Sequence, residues 1–155
     1  MEKLIVCIVD DNPDYRKNWS RWLNELGFSV IEAFDGKHAY DKLTKLTAKE
    51  SASLAVIITD ENMKCGKPER ENGSWLISQL ASNEQLKTIP VIWNTGAEHP
   101  KMQLAENVLK FKKLNTPGSL LMALKSARVE LDPGLCAFFE KYFVNNQNLG
   151  LGRDY

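Results

Sequence analysis

The run Lys3-Leu4-Ile5-Val6-Cys7-Ile8-Val9-Asp10-Asp11-Asn12-Pro13 decides how the rest of the chain is read. Its apolar stretch reads as a strand of a parallel sheet that is covered by helices on both faces. The strand breaks off at two adjacent carboxylates, and a helix start follows at once. Asn12 can cap that helix and Pro13 suits its first position. Tyr15, Trp19, Trp22, Leu23 and Leu26 then recur at helical spacing until Gly27 stops the run.

The same alternation continues down the chain. Strand-like runs at Ser29 to Phe34, Leu54 to Thr59, Pro90 to Asn94 and Val108 to Lys112 are separated by helix-length segments, which predicts an α/β fold with five strands. A second helix follows Asp35-Gly36 with Ala39, Tyr40 and Leu43 inward, and a third carries Trp75, Leu76, Ile77 and Leu80. A short fourth is expected around Met102 to Glu106, and a fifth starts near Pro117 and uses Leu120, Leu121 and Leu124. Beyond it, Asp132-Pro133 opens a short extra C-terminal helix whose Leu135, Phe138, Phe139, Tyr142 and Phe143 form an apolar stripe expected to pack on its own domain. Residues 145–155, rich in Asn and Gly, are read as a tail. The four tryptophans are expected in the core, and His38 and His99 are given no role.

Composition narrows the function classes. The chain has 155 residues with 43% hydrophobic content, enough for one ordinary globular core. Twenty basic residues balance twenty acidic ones, so no global field draws it onto nucleic acid or an anionic membrane. No apolar run is long enough to span a bilayer, and Met1-Glu2-Lys3 leads directly into a strand, so a cytoplasmic protein is expected. Cys7, Cys65 and Cys136 are scattered and odd in number, which fits free thiols in a reducing compartment.

Ligand sites of open α/β sheets lie beyond the carboxyl ends of the strands. Here strand one exits at Asp10-Asp11-Asn12 and strand three at Asp60, and these strands should be neighbours. Carboxylates gathered in one place repel one another, and a hard divalent cation relieves the repulsion. Oxygen-only ligands favour Mg²⁺, and nothing near these exits offers the sulphur or imidazole that zinc prefers. Strand four exits at Thr95-Gly96, a hydroxyl beside a residue without a side chain, and strand five exits at Lys112-Lys113, an ammonium. Carboxylate nucleophile, metal, hydroxyl and lysine together form a cradle for a phosphoryl group.

Four motifs carry a family resemblance. Ile5-Val6-Cys7-Ile8-Val9-Asp10-Asp11-Asn12-Pro13 resembles the first strand and acidic pair of bacterial response-regulator receiver domains of the single-domain chemotaxis type, and Thr59-Asp60-Glu61-Asn62-Met63 resembles their phospho-acceptor segment. Pro90 to Gly96 is similar to their fourth strand with its hydroxyl, and Lys113 with Pro117 four residues later matches their lysine and last helix, with Lys112 as the fallback. The resemblance runs from Lys3 to Val129. It implies a flavodoxin-like doubly wound sheet of order 2-1-3-4-5, a receiver domain over residues 1–130, an extension over 131–155, and no separate output domain.

It also implies roles. Asp60 would accept the phosphoryl group, and Asp11 and Asp60 would ligate Mg²⁺ directly. Asp10 would act through a metal-bound water, and the backbone carbonyl of Asn62 would complete the protein ligands. Thr95 and Lys113 would contact the phosphoryl oxygens. The donor would be a sensor histidine kinase or a phosphotransfer protein, and the output a contact with a downstream protein or a homodimer, with no direct binding to DNA or membrane. Such a chain is a phospho-acceptor and not a turnover enzyme.

Three departures bear on signalling. The segment Lys64 to Asn72 is longer than the family's and lacks its proline after Met63, Leu114 replaces the proline after the lysine, and Lys110 stands where an aromatic residue usually turns inward on activation. They motivate an alternative, a pseudo-receiver that binds proteins independently of phosphorylation. A Mg²⁺-dependent phosphohydrolase ranks last, because such enzymes separate their two aspartates by one residue and carry a cap domain.

Overall fold

In the computed structural model, which describes residues 2–63, 72–96, 104–112 and 114–145, five parallel strands run in the order β2-β1-β3-β4-β5. They are β1 (Ile5–Val9), β2 (Ser29–Ala33), β3 (Leu54–Asp60), β4 (Val91–Asn94) and β5 (Val108–Phe111). The order is the flavodoxin-like one that the resemblance implies, and strand ends differ from the sequence reading by one or two residues. β1 takes a central place because Val6, Cys7, Ile8 and Val9 offer only apolar surface, and all four are fully buried.

The pleat divides the core into two layers. Val6, Ile8, Val56, Ile58 and Ile92 face one layer, while Cys7, Val9, Ile57, Val91 and Trp93 face the other. The first layer is covered by α1 (Pro13–Glu25), through Trp19, Trp22 and Leu23, and by α5 (Pro117–Ser126), through Leu120, Leu121 and Leu124. The second is covered by α2 (Gly36–Thr44), through Ala39 and Leu43, and by α4 (Gly73–Ala81), through Leu76, Ile77 and Leu80. Cap chemistry matches the reading at α1, where the Asn12 side chain accepts from the backbone N–H of Asp14 at 2.9 Å. Gly27 then leaves the helix at φ +93°, a conformation that favours glycine.

One element escaped the sequence reading. α3 (Ala48–Ser53) begins at a reciprocal capping box between Thr47 and Glu50 but buries none of its side chains, so it shows no apolar stripe. Of the fourth helix expected around Met102 to Glu106, residues 101–103 lie outside the described residues, and Ala105 to Val108 form a turn closed by a 3.0 Å hydrogen bond that leads into β5.

The C-terminal helix α6 (Pro133–Phe139) is capped by Asp132 and continues as a π-helical segment, Glu140–Asn145. Its aromatic stripe splits. Phe139 is fully buried in the α1/α5 layer with Phe143 stacked on it at 5.0 Å, whereas Leu135, Phe138 and Tyr142 remain exposed. The expected tail loses Asn145 to the π-helical segment, and residues 146–155 lie outside the described residues. Among the described residues no helix is long and apolar enough to cross a membrane.

Candidate functional site

Parallel register brings the acidic exits together. β1 and β3 pair with Val9 opposite Thr59, so Asp10 leaves its strand beside Asp60, the last residue of β3. Asp10, Asp11 and Asp60 each present a carboxylate oxygen, and these oxygens lie within 4.8 Å of one another. Asp10 is the deepest, at 2% exposure, and the other two are half-buried. Asp10 is held from several sides. Its Oδ1 accepts from the Asn12 N–H at 2.8 Å, its carbonyl accepts from Arg16 Nη1 at 2.6 Å, and its own N–H donates to the Ala33 carbonyl at 3.1 Å.

Crowding shows in the protonation of these groups. Burial, then the Asp10 charge, push the Asp60 carboxyl up to about 7, against an opposing hydrogen bond from the Glu61 backbone. Burial also pushes Asp10 up to about 6, with the Asn12 N–H pulling the other way. The site therefore holds more negative charge than its own protein donors neutralise. That is the physical condition under which a cation is favoured.

The donor set fits Mg²⁺. Its three carboxylate oxygens lie within 4.8 Å of one another, and Mg²⁺ characteristically takes one or two carboxylates and leaves room for waters and phosphate oxygens. The oxygens are hard, and no thiol or imidazole joins the cluster among the described residues. Asn62, the residue expected to offer its carbonyl, is exposed and lies two residues after β3.

The remaining expected residues divide. Asp60 pairs with Asn94 across β3 and β4, which sets Thr95 at the next exit, buried and with its N–H donating to the Phe111 carbonyl at 2.9 Å. Lys113 lies outside the described residues. Lys112, the fallback, is exposed after β5, and Phe111 before it packs against the α1/α5 layer. Leu114, where the family carries proline, is buried and its carbonyl accepts from Trp19 Nε1 at 2.9 Å. Cys7 is buried and its thiol is pushed up to about 12 by that burial, which removes it from any reactive role. Cys65 and His99 lie outside the described residues, and His38 stacks on Phe34 while accepting its N–H.

Three residues near the site went unread in the sequence. Arg16 holds the Asp10 carbonyl, Glu61 is buried directly after Asp60, and Gly73 lies so close to β3 that a Cβ there would collide with the Asp60 carbonyl oxygen. Asn72-Gly73-Ser74 is a recognisable helix start, with the Asn72 side chain accepting from the Trp75 N–H at 2.8 Å, but its docking on Asp60 and Glu61 depends on tertiary contact.

Comparison with known proteins agrees with this geometry. The sequence profile described as the response regulator receiver domain matches residues 6–113. The chain is 32% identical over 107 residues to hybrid signal transduction histidine kinase D of Dictyostelium discoideum, a match covering 68% of this chain and 6% of that protein. It is 32% identical over 95 residues to chemotaxis protein CheV3 of Helicobacter pylori, covering 59% of this chain and 29% of that protein. The chain thus spans well under two thirds of the length of either relative. Among solved structures, chemotaxis protein CheY4 of Vibrio cholerae matches with a TM-score of 0.64 at 24% identity, covering 81% of this chain and 99% of that one. A response regulator receiver protein from Sinorhizobium medicae matches with a TM-score of 0.64 at 18% identity, covering 81% and 94%. At these identities the structural likeness establishes the fold.

Proposed function

Because this chain belongs to the response regulator receiver family, we propose that it accepts a phosphoryl group on Asp60 from the phosphohistidine of a sensor kinase or phosphotransfer protein, in a Mg²⁺-dependent manner. The observation that carries the reading is the gathering of the Asp10, Asp11 and Asp60 carboxylates within 4.8 Å beside the buried Thr95. A carboxylate oxygen of Asp60 attacks phosphorus as the donor's N–P bond breaks, and the new P–O bond leaves a mixed anhydride on the strand exit. Asp11 and Asp60 would hold Mg²⁺ directly, Asp10 through water, and the Asn62 carbonyl would complete the set. Bound there, the cation supplies charge neutralisation for the phosphoryl oxygens.

The protein's own groups do the rest. Asp10, fixed by Asn12 and Arg16, keeps the acidic pair oriented. The Thr95 hydroxyl, at the exit of β4, receives a phosphoryl oxygen, and Lys113 supplies a cation from the exit of β5. Output is a phosphorylation-dependent contact with another protein, in the cytoplasm. The test is labelling of the chain by acetyl phosphate with and without Mg²⁺. Incorporation that needs Mg²⁺ and vanishes in Asp60→Asn supports the reading; a chain that stays unlabelled under both conditions overturns it.

A second reading is favoured by Lys110, which is exposed and covers Trp93 where the family carries an aromatic switch. In that reading the chain is a pseudo-receiver whose partner affinity is indifferent to Asp60→Asn. The same labelling experiment separates the two.

A further inference from the structure

Glu61 follows Asp60 directly and is only 6% exposed. Its carboxylate accepts two hydrogen bonds from the first turn of α4, from the Ser74 N–H at 2.7 Å and from the Ser74 hydroxyl at 3.0 Å. Its backbone carbonyl accepts a third, from the Gly73 N–H at 3.1 Å. Ser74 Oγ also lies 3.0 Å from the Asn72 side-chain oxygen, so the cap of α4 and the clasp on Glu61 share one hydroxyl. Gly73 completes the fit, since any Cβ there would meet the Asp60 carbonyl carbon at 3.1 Å and Trp93 Nε1 at 3.0 Å. The start of α4 is thereby fastened to the two residues at the β3 exit.

This arrangement is costly for an acidic site. Glu61 adds a further negative charge whose field reaches Asp60, and a neutral side chain would avoid that repulsion. Donors at a helix N-terminus offset the cost and hold the carboxylate in one orientation. The orientation propagates along the chain. Glu61 lies between Asp60, the acceptor, and Asn62, the carbonyl ligand, so fixing both its carboxylate and its carbonyl fixes the peptides on either side.

We propose that Glu61 and Ser74 are positioning residues, which clamp α4 onto the β3 exit and so set the geometry at which Asp60 and the Asn62 carbonyl meet the cation and the phosphodonor. The inference rests on the receiver reading above.

The experiment compares wild type with Ser74→Ala, Ser74→Thr and Glu61→Gln. Mg²⁺ affinity is read from intrinsic tryptophan fluorescence, the labelling rate from acetyl phosphate, and folding from Tm. Thr47→Ala, which loosens the remote α3 cap, is the control for destabilisation alone. Ser74→Ala and Glu61→Gln are expected to weaken Mg²⁺ binding and slow labelling by roughly tenfold, as loss of a residue that orients a metal ligand does. Ser74→Thr is expected to restore both, and Thr47→Ala to leave both at wild-type values while lowering Tm. Wild-type affinity and rate in Ser74→Ala and Glu61→Gln, with only Tm reduced, would overturn the clamp and leave the receiver reading standing. A wild-type chain that neither binds Mg²⁺ nor labels defeats the receiver reading, and the clamp with it. Ser74→Ala retains the backbone donor and decides the matter if Glu61→Gln fails to fold.

Discussion

The ammonium of Lys110 lies 5.5 Å from the centroid of the Trp93 indole, across the ladder position where β5 faces β4. Trp93 is fully buried and stands two residues before Thr95, so the cation rests on the strand that delivers the site's hydroxyl. Receiver domains use an aromatic side chain at the Lys110 position, and here the ring belongs to the neighbouring strand instead. Lys110→Ala is expected to cost about 0.5–1 kcal/mol in urea unfolding and to change Trp93 emission. The labelling rate of Asp60 should stay within roughly twofold of wild type, since a surface change of this kind moves little beyond its own contact. A large loss of labelling would show that Lys110 acts on the phosphoryl site itself.

A pH dependence follows from the crowded carboxylates. Asp60 and Asp10 are raised from 3.8 to about 7 and about 6, so the folded state binds these protons more tightly than the unfolded chain. Their contribution to stability is therefore full below about pH 4 and is lost as pH rises through about 6 to 7. Metal-free Tm should fall between about pH 5 and pH 8 on their account. Asp60→Asn should flatten that fall and raise metal-free stability at about pH 8 by roughly 1–2 kcal/mol, or about 2–8 °C for a chain this size. Millimolar Mg²⁺ should raise the wild-type Tm more than the variant's. A Tm that ignores both pH and the substitution would contradict the electrostatic picture.

Trp19 links α1 to the segment after β5. Its Nε1 donates to the Leu114 carbonyl at 2.9 Å, with both residues buried. Trp19→Phe removes the donor and strands a buried carbonyl, which should cost about 1–3 kcal/mol in denaturant unfolding. An unchanged unfolding midpoint would mean that water replaces the indole there.

The C-terminal helix shares the core of the sheet. Phe139 is fully buried in the cluster that contains Trp19, Leu120 and Leu124. Phe139→Ala is expected to destabilise the whole fold by about 3–5 kcal/mol, seen as one cooperative transition at lower urea. Phe138→Ala, at an exposed position of the same helix, should change stability by less than about 0.5 kcal/mol. Equal effects of the two would mean that α6 does not insert as described.

Strands, helix starts and the acidic exits were legible in the residues because each rests on local information. Apolar runs of strand length marked all five strands, Asn12-Pro13 and Asp132-Pro133 marked two helix starts, and Asp10, Asp11 and Asp60 stood where strands stop. α3 was missed although Thr47 and Glu50 spelled its cap, because it buries no side chain and so leaves no periodicity to detect. The stripe at 135–143 reads as a single face, yet only its Phe139 and Phe143 pack inward, since consecutive helical residues such as Phe138 and Phe139 point about 100° apart and cannot both face the core.

Taken alone, the amino-acid order determined the α/β alternation, the helix caps and which carboxylates would stand at strand ends, because periodicity and capping depend on neighbours a few residues away. Tertiary structure alone decided that Glu61 is buried under the start of α4, that Gly73 abuts the Asp60 carbonyl, that Lys110 covers Trp93, and that Phe139 of the C-terminal stripe enters the core while Phe138 stays exposed. Each of these is a matter of distance between segments remote in the chain. Burial and close approach, which set the charge on Asp10 and Asp60, exist only once those segments have packed.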